Sequence, residues 1–267
     1  MFGFKISRTP RPKFRIGLAL SGGGARGFAH LGAIKALDRV GLKPDIIAGV
    51  SAGSVVATMY SAGIRPDEVF EKFSSAKFSD FCEFNVPRTG FFNLGRFRKF
   101  IEDNVPYRNI EDLPVPTVVC ATNYDTGRPV AFTKGNLAER VVASCSIPIV
   151  FDPMVIDGVR YVDGGLLHNL PAWAIRNKCR FLIGVNCSPL APPPEKKGIV
   201  SVALRSYELV TKTNALGDMA LCDMIVRTDD IARYKVFDLK GIEDVYESGY
   251  RDTLNFLKKH GIDTPRS

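Results

Sequence analysis

The residues best suited to chemistry fall in three glycine-bearing clusters. The first is Gly49-Val50-Ser51-Ala52-Gly53, where an apolar run passes into a helical pattern. A serine on such a strand-to-helix turn has its hydroxyl aimed outward, and the glycines are needed because the turn brings neighbouring chain too close for side chains. An ordinary turn with Ser51 as helix N-cap uses the same letters. The second cluster is Ser21-Gly22-Gly23-Gly24-Ala25-Arg26-Gly27, again between strand and helix. Backbone N–H groups at a helix N-terminus favour negative charge. Gly22, Gly24 and Gly27 spell the dinucleotide-binding G-x-G-x-x-G, but the acid expected about 20 residues on, at the next strand end, is replaced by Ser51. A phosphate-binding P-loop also fails, because Phe28 and Ala29 stand where Lys and Ser/Thr are required. What remains is an oxyanion hole for a tetrahedral intermediate formed at Ser51. The third cluster runs from Tyr161 to Pro171; in it Asp163, before Gly164 and Gly165, is either an Asx-turn residue or a base held on a rigid loop.

Positioning these clusters requires alternating strands and helices. Arg15 to Ser21 reads as a strand, and Leu31, Ile34, Leu37 and Val40 recur at helical spacing up to a stop at Gly41–Pro44. Ile46–Val50 is a second strand and Ala52–Ala62 a second helix, a βαβα unit that implies parallel strands. A helix follows from Pro66, then strands at Val115–Ala121 and Arg128–Thr133, a helix at Leu137–Ser144 and a turn at Asp157–Gly158. A strand at Phe181–Asn186 precedes helices near Val200–Leu216 and Asp244–His260, with a strand near Cys222–Arg227 between them. The pattern is that of one doubly wound α/β structure, with Pro189–Gly198 as a surface loop. We therefore expect a basic arm over residues 1–14 and a single α/β domain over 15–267.

The composition is globular: of 267 residues, 45% are hydrophobic and 24% charged, which excludes a disordered or disulfide-stapled chain. Lys and Arg exceed Asp and Glu by 8, a bias towards polyanions that falls short of a dedicated nucleic-acid binder and fits an anionic lipid surface. Lys5, Arg8, Arg11, Lys13 and Arg15 carry much of it, on an arm that Pro10 and Pro12 keep from being helical. No signal-peptide pattern and no run of ~18 apolar residues is present. Six cysteines without a CxxC pair read as reduced thiols of a cytosolic protein. Seven of eighteen phenylalanines lie between Phe78 and Phe100, interleaved with Lys77, Arg88, Arg96, Arg98 and Lys99. They form an acyl-chain pocket, lid or lipid-facing surface, or else a helical cap packed on the sheet.

Together the three clusters resemble the patatin-like phospholipase family, whose signature is a Gly-Gly-Gly-x-Arg/Lys-Gly loop, then G-x-S-x-G, then Asp-Gly-Gly/Ala. The sequence has GGGARG at 22–27, GVSAG at 49–53 and DGG at 163–165, in that order. Ala143-Ser144-Cys145-Ser146-Ile147-Pro148, Phe151-Asp152-Pro153 and Asn169-Leu170-Pro171 match the family's flanking stretches, so that the resemblance covers about residues 15–186. It implies a three-layer α/β/α sandwich with a mostly parallel central sheet, and a serine acyl hydrolase working through a Ser/Asp dyad. Ser51 would be the nucleophile and Asp163 the base. The amides of Gly22, Gly23 and Gly24 would hold the oxyanion, and Arg26 would support that loop or the developing charge. No metal or organic cofactor is implied. The substrates implied are lipid carboxyl esters, phospholipids or lysophospholipids, cleaved through an acyl-Ser51 intermediate by a cytoplasmic protein in peripheral contact with anionic membrane. An acyltransferase using the same dyad is the neighbouring reading. A non-catalytic nucleotide-binding or regulatory module using the glycine loop is the reading from another class. Because a carboxylate near pKa 3.9 is a weak base, burial of Asp163 is expected to raise its proton affinity. His168 could be drawn into a Ser51–Asp163–His168 triad, but the family needs no histidine, and a loop imidazole more often bonds locally. His30 and His260 are expected to be structural.

Overall fold

The computed structural model describes residues 12–84, 89–193 and 198–262. Lys5, Arg8 and Arg11 of the basic arm, and Arg88, lie outside them. In chain order the first elements are β1 (Phe14–Leu20), α1 (Phe28–Arg39), β2 (Ile46–Val50), α2 (Ala52–Ser61) and α3 (Pro66–Ser74). Next come β3 (Glu83–Phe84), β4 (Gly90–Asn93), α4 (Gly95–Asn104), β5 (Thr117–Asn123), β6 (Arg128–Phe132), α5 (Leu137–Cys145) and β7 (Ile149–Phe151). The chain closes with β8 (Met154–Ile156), β9 (Val159–Asp163), α6 (Ala172–Ile175), β10 (Cys179–Asn186), α7 (Ile199–Met219), β11 (Met224–Arg227) and α8 (Ile242–Lys259).

The main sheet has the order β11-β10-β1-β2-β5-β9-β8, with β6 also paired to β5. From β11 to β5 every pairing is parallel. These strands are near-continuous apolar runs because both of their faces are covered, and their side chains sort by parity between two cores. Leu18, Leu20, Ile47, Val119, Ile183 and Val185 face one cluster with α1, α2 and α8, whereas Ala19, Ile46, Ala48, Val118 and Leu182 face another with α6 and Ala215 of α7. That is the expected three-layer sandwich.

Two features depart from the sequence reading. The edge beyond β5 is antiparallel: β6 follows β5 and β9 follows β8 through hairpins, and β9 pairs with β5 across about 35 intervening residues. Asp157 and Gly158 both take positive φ (51° and 80°) in the two-residue turn between β8 and β9, the geometry that returns a strand beside itself. Two strands of the Phe-rich region join β7 in a small second sheet, β3-β4-β7, built from strands too short to show a period.

Candidate active site

Strand register brings the first and third clusters together. Val50 pairs with Cys120 on one side of β5, and Asp163 pairs with Ala121 on the other, so Ser51 and Asp163 flank the same point of one strand. Leu20 pairs with Gly49, which sets the glycine loop at the same end of the sheet. Ser51 occupies φ 50°, ψ −126°, a conformation a non-glycine residue holds only where its surroundings enforce it. The enforcing contacts are specific. The Ser51 N–H donates to Ser144 Oγ (2.9 Å), and that hydroxyl donates to the Cys120 carbonyl (2.6 Å). The Ser51 carbonyl accepts from Ser54 N–H (2.8 Å) and from Ser54 Oγ (2.7 Å). A Cβ at Gly49 would strike the Gly53 carbonyl, and one at Gly53 the Leu20 carbonyl, so the flanking glycines answer the crowding expected of this turn.

Asp163 is 2% exposed. Its N–H donates to the Ser146 carbonyl (2.9 Å), its carbonyl accepts from Thr122 Oγ1 (3.1 Å), and its Oδ1 accepts from Gly165 N–H (2.7 Å). Burial pushes the carboxyl up to about pKa 6, against the opposing pull of the Ser51 hydroxyl, the Gly165 amide and the Tyr207 hydroxyl. A side chain at Gly165 would meet Asn169 Oδ1, Tyr207 Oη and Asp163 Oδ1 at 2.8, 2.9 and 3.0 Å, which shows how closely these polar atoms converge. Thus Asp163 is both an Asx-type cap and a carboxylate facing the serine; the two sequence readings are compatible. The Tyr207 phenol is pushed far above its ordinary pKa, by burial first and then by the Asp163 charge, and stays protonated as a donor.

Of the three glycine-loop amides expected to face an oxyanion, one already has a backbone partner. The Gly22 N–H donates to the Asn169 carbonyl (3.0 Å) and is committed there. The Gly23 and Gly24 N–H groups have no partner among the described residues. Gly24, at φ +57°, lines the same cavity as Ser51. Arg26 points away from that cavity. It is 2% exposed and donates to the carbonyls of Tyr234 (2.8 Å), Pro189 (2.9 Å) and Ala232 (3.3 Å), with Glu208 at 3.5 Å. These bonds tie the glycine loop to the chain at Pro189 and at Ala232–Tyr234. Beneath the loop, His30 Nε2 donates to the Ser21 carbonyl (2.8 Å) beside Cys187 Sγ (3.1 Å), and burial lowers its pKa to about 4.

A cavity of about 150 Å³ opens on Ser51 and is walled almost wholly by apolar side chains, among them Leu31, Val56, Val69, Phe73, Phe81 and Phe97. Phe73, Phe81, Phe97 and Phe100 also pack ring on ring. The Phe-rich stretch is therefore a packed cap whose inner surface is the cavity wall, while Phe84 stays 72% exposed.

His168 stands apart from Asp163. Its Nδ1 bonds Asp218 Oδ2 (2.7 Å) on α7, its ring tilts on Trp173, and Asp218 Oδ1 accepts the Trp173 N–H (2.9 Å). Sequence reasoning missed the α7 contribution altogether. Tyr207 faces Asp163; Asn214 donates to the Gly165 (2.8 Å) and Leu166 (3.2 Å) carbonyls and accepts from Asn169 N–H (2.9 Å). Ser144 lies within the Ala143–Pro148 stretch, where the sequence pattern alone points to no role for its hydroxyl.

A strained serine at a strand-to-helix turn, held across one strand from a buried carboxylate, marks this chain as an α/β protein whose candidate site is built on a sharp turn after a parallel strand. Residues 18–175 match the family model described as patatin-like phospholipase, and the chain belongs to that family. A protein of the NTE family from Mycobacterium bovis is 32% identical over 212 residues, covering 77% of this chain and 58% of that protein. The neuropathy target esterase of Drosophila melanogaster is 34% identical over 172 residues, covering 61% of this chain and 12% of that one. The chain thus spans only part of the length of these relatives. The crystal structure of VipD from Legionella pneumophila shares the fold, with a TM-score of 0.52 at 15% identity over 93% of this chain and 67% of that one.

Proposed function

We propose that this chain is a serine acyl hydrolase that cleaves carboxyl esters of phospholipids or lysophospholipids. The observation that carries the reading is the placement of Ser51, in a strained elbow, between a buried carboxylate of raised proton affinity and an apolar cavity. Ser51 Oγ attacks the ester carbonyl while its proton passes to ionised Asp163. Charge developing on the carbonyl oxygen meets the uncommitted amides of Gly23 and Gly24. Collapse of the intermediate breaks the bond to the alcohol, which leaves with the proton from Asp163, and the acyl chain stays on Ser51 within the cavity. Water then attacks the acyl-enzyme, gives its proton to Asp163, and the fatty acid departs as the serine recovers that proton. Every step is completed by groups of the chain and water. Membership of the patatin-like family supports the ester-hydrolase reading, and the apolar lining supports an acyl group as the part of the substrate that enters.

The test is Ser51→Ala with an active-site-directed fluorophosphonate. The wild type should label stoichiometrically at Ser51, and the folded variant should neither label nor hydrolyse, a loss of at least ~10⁴ in kcat. Substantial turnover by the alanine variant would remove Ser51 from the mechanism.

A further inference from the structure

The two faces of α7 are unlike in kind. The inner one carries Leu204, Tyr207, Glu208, Asn214 and Asp218, which reach the cavity wall, Asp163, Arg26 and the loop from Gly165 to Trp173. Leu204 and Tyr207 pack in the cluster with Ile147, Phe151 and Phe237, three residues that line the cavity. The outer face is mostly apolar, with Ser206 and Thr213 along its middle: Ile199 is 87% exposed, Val202 65%, Leu216 58%, Leu209 45% and Val210 44%. At 3.6 residues per turn these fall on one broad arc, and from Ile199 to Leu216 it runs ~26 Å.

A helix facing water normally turns its charges outward. Here Lys212, on the flank of the arc, is the one exposed charged residue of α7. Both of its acids are turned inward, Glu208 onto Arg26 and Arg205, and Asp218, 2% exposed, onto His168. Pairing with another helix would need a narrow apolar seam. Ser206 and Thr213 interrupt such a seam at alternate positions, while Val210 widens the apolar arc beyond it. An apolar arc without an acid, on a chain of net charge +8, suits a flat anionic surface. Lys212 is placed to extend its ammonium to headgroups while its stem stays apolar.

We propose that the outer face of α7 is the membrane-docking surface of this chain, and that it lies in the headgroup plane of a bilayer containing anionic lipid. The choice of lipid rests on the hydrolase reading above; the exposed apolar arc does not. Because the same helix packs behind the cavity-lining residues Ile147, Phe151 and Phe237 and faces Asp163, docking sets the acyl-binding cavity beside the bilayer from which its substrate comes.

The test uses the whole chain and vesicles of phosphatidylcholine with and without phosphatidylglycerol, at low and high salt. Two double variants separate apolarity from charge: Leu209→Gln with Leu216→Gln, and Leu209→Glu with Leu216→Glu. The wild type should sediment with phosphatidylglycerol vesicles, more weakly at high salt. The glutamine pair should lose roughly tenfold or more in partition, and the glutamate pair more again. Hydrolysis of a soluble short-chain ester and the melting temperature should be the same in all three proteins. Vesicle hydrolysis should fall in step with partition. Absence of soluble-ester turnover in the wild type would refute the hydrolase reading, whereas sedimentation still decides the docking surface. The proposal is overturned if the wild type fails to sediment, or if all three proteins sediment equally. It is also overturned if the glutamine pair converts a dimer to a monomer with partition unchanged, which would make the arc a contact between two copies.

Discussion

On the strand side of the site, backbone geometry does the holding: Ser51 sits in a strained turn, glycines stand where side chains would collide, and the Leu20–Gly49 and Val50–Cys120 pairings set the level. On the α7 side, side chains hold the same site. Tyr207 faces Asp163, Asn214 ties Gly165, Leu166 and Asn169, and Asp218 ties His168 and Trp173. Backbone devices position Ser51 and the glycine loop and tolerate little change. Side-chain devices tune and brace them, so their removal should cost less and show in different measurements.

The largest effect is expected where the two sides meet. Asp163→Asn keeps the shape and removes the proton acceptor, and should lower kcat by ~10² to 10⁴. In the wild type, kcat/KM should fall with an acid limb near pH 6, where Asp163 takes up its proton. The same change bears on stability. The folded state binds the Asp163 proton more tightly than the unfolded chain does, so this group favours folding most below about pH 4, and that contribution is lost as pH rises to about 6. Above pH 6 the ionised carboxylate is a burden of roughly 3 kcal/mol, and asparagine removes it. His30 works in the opposite sense: buried neutral with its pKa lowered to about 4, it contributes above pH 6.5 and is lost as pH falls towards 4. The two titrations offset one another in the wild type. Urea unfolding should therefore find Asp163→Asn more stable than the wild type at pH 8 and more steeply weakened by acid between pH 6.5 and 4; lower stability at pH 8 would contradict the raised pKa.

The backbone side is probed by Gly24→Ala. At φ +57° an alanine is strained, and its Cβ would strike the Val236 carbonyl, which also anchors the loop through Ala25 N–H (2.8 Å). The loop must shift, taking its free amides with it, so kcat should fall by ~10² with a stability loss of about 1–3 kcal/mol. A folded variant with wild-type kcat would show that these amides do not meet the oxyanion.

The contrast between the two sides also explains what could be read from the letters. The elbow and the glycine loop depend on residues within one short window, where glycine spacing and the change of period from strand to helix are both visible, and β2 spans Ile46–Val50 as expected. Asp163 could be linked to Ser51 only through the family resemblance, because the link itself is the pairing of β9 with β5 in an antiparallel register that no local pattern announces. Tyr207, Asn214 and Asp218 look like any residues of an amphipathic helix; the partners of Asn214 and Asp218 lie 45 to 50 residues away in the chain. The commitment of the Gly22 amide to Asn169 was hidden for the same reason.

Tyr207→Phe tests whether the α7 side tunes the base. The hydroxyl favours the ionised carboxylate, so its loss should move the acid limb of kcat/KM upward from about pH 6. At pH 8, where Asp163 is ionised with or without it, kcat should fall by no more than about tenfold. An unmoved limb would reduce Tyr207 to packing.

The smallest effect on turnover is expected from His168→Ala, although this change removes the imidazole that a triad would require. The His168 side chain is 37% exposed, and its Nδ1 is engaged by Asp218, which is 2% exposed, at 2.7 Å. Alanine leaves that buried carboxylate with the Trp173 N–H but without its second partner, a loss that should appear as about 1–3 kcal/mol of stability. Neither Ser51 nor Asp163 loses a contact, so kcat should drop less than tenfold and the acid limb should stay near pH 6. Measuring both quantities on one preparation separates the alternatives. A stability loss with near-normal turnover marks His168 as a brace between the Gly165–Trp173 loop and α7. A folded variant as inactive as Asp163→Asn would mean that the imidazole swings from Asp218 to the carboxylate during turnover and that three residues, not two, move the proton.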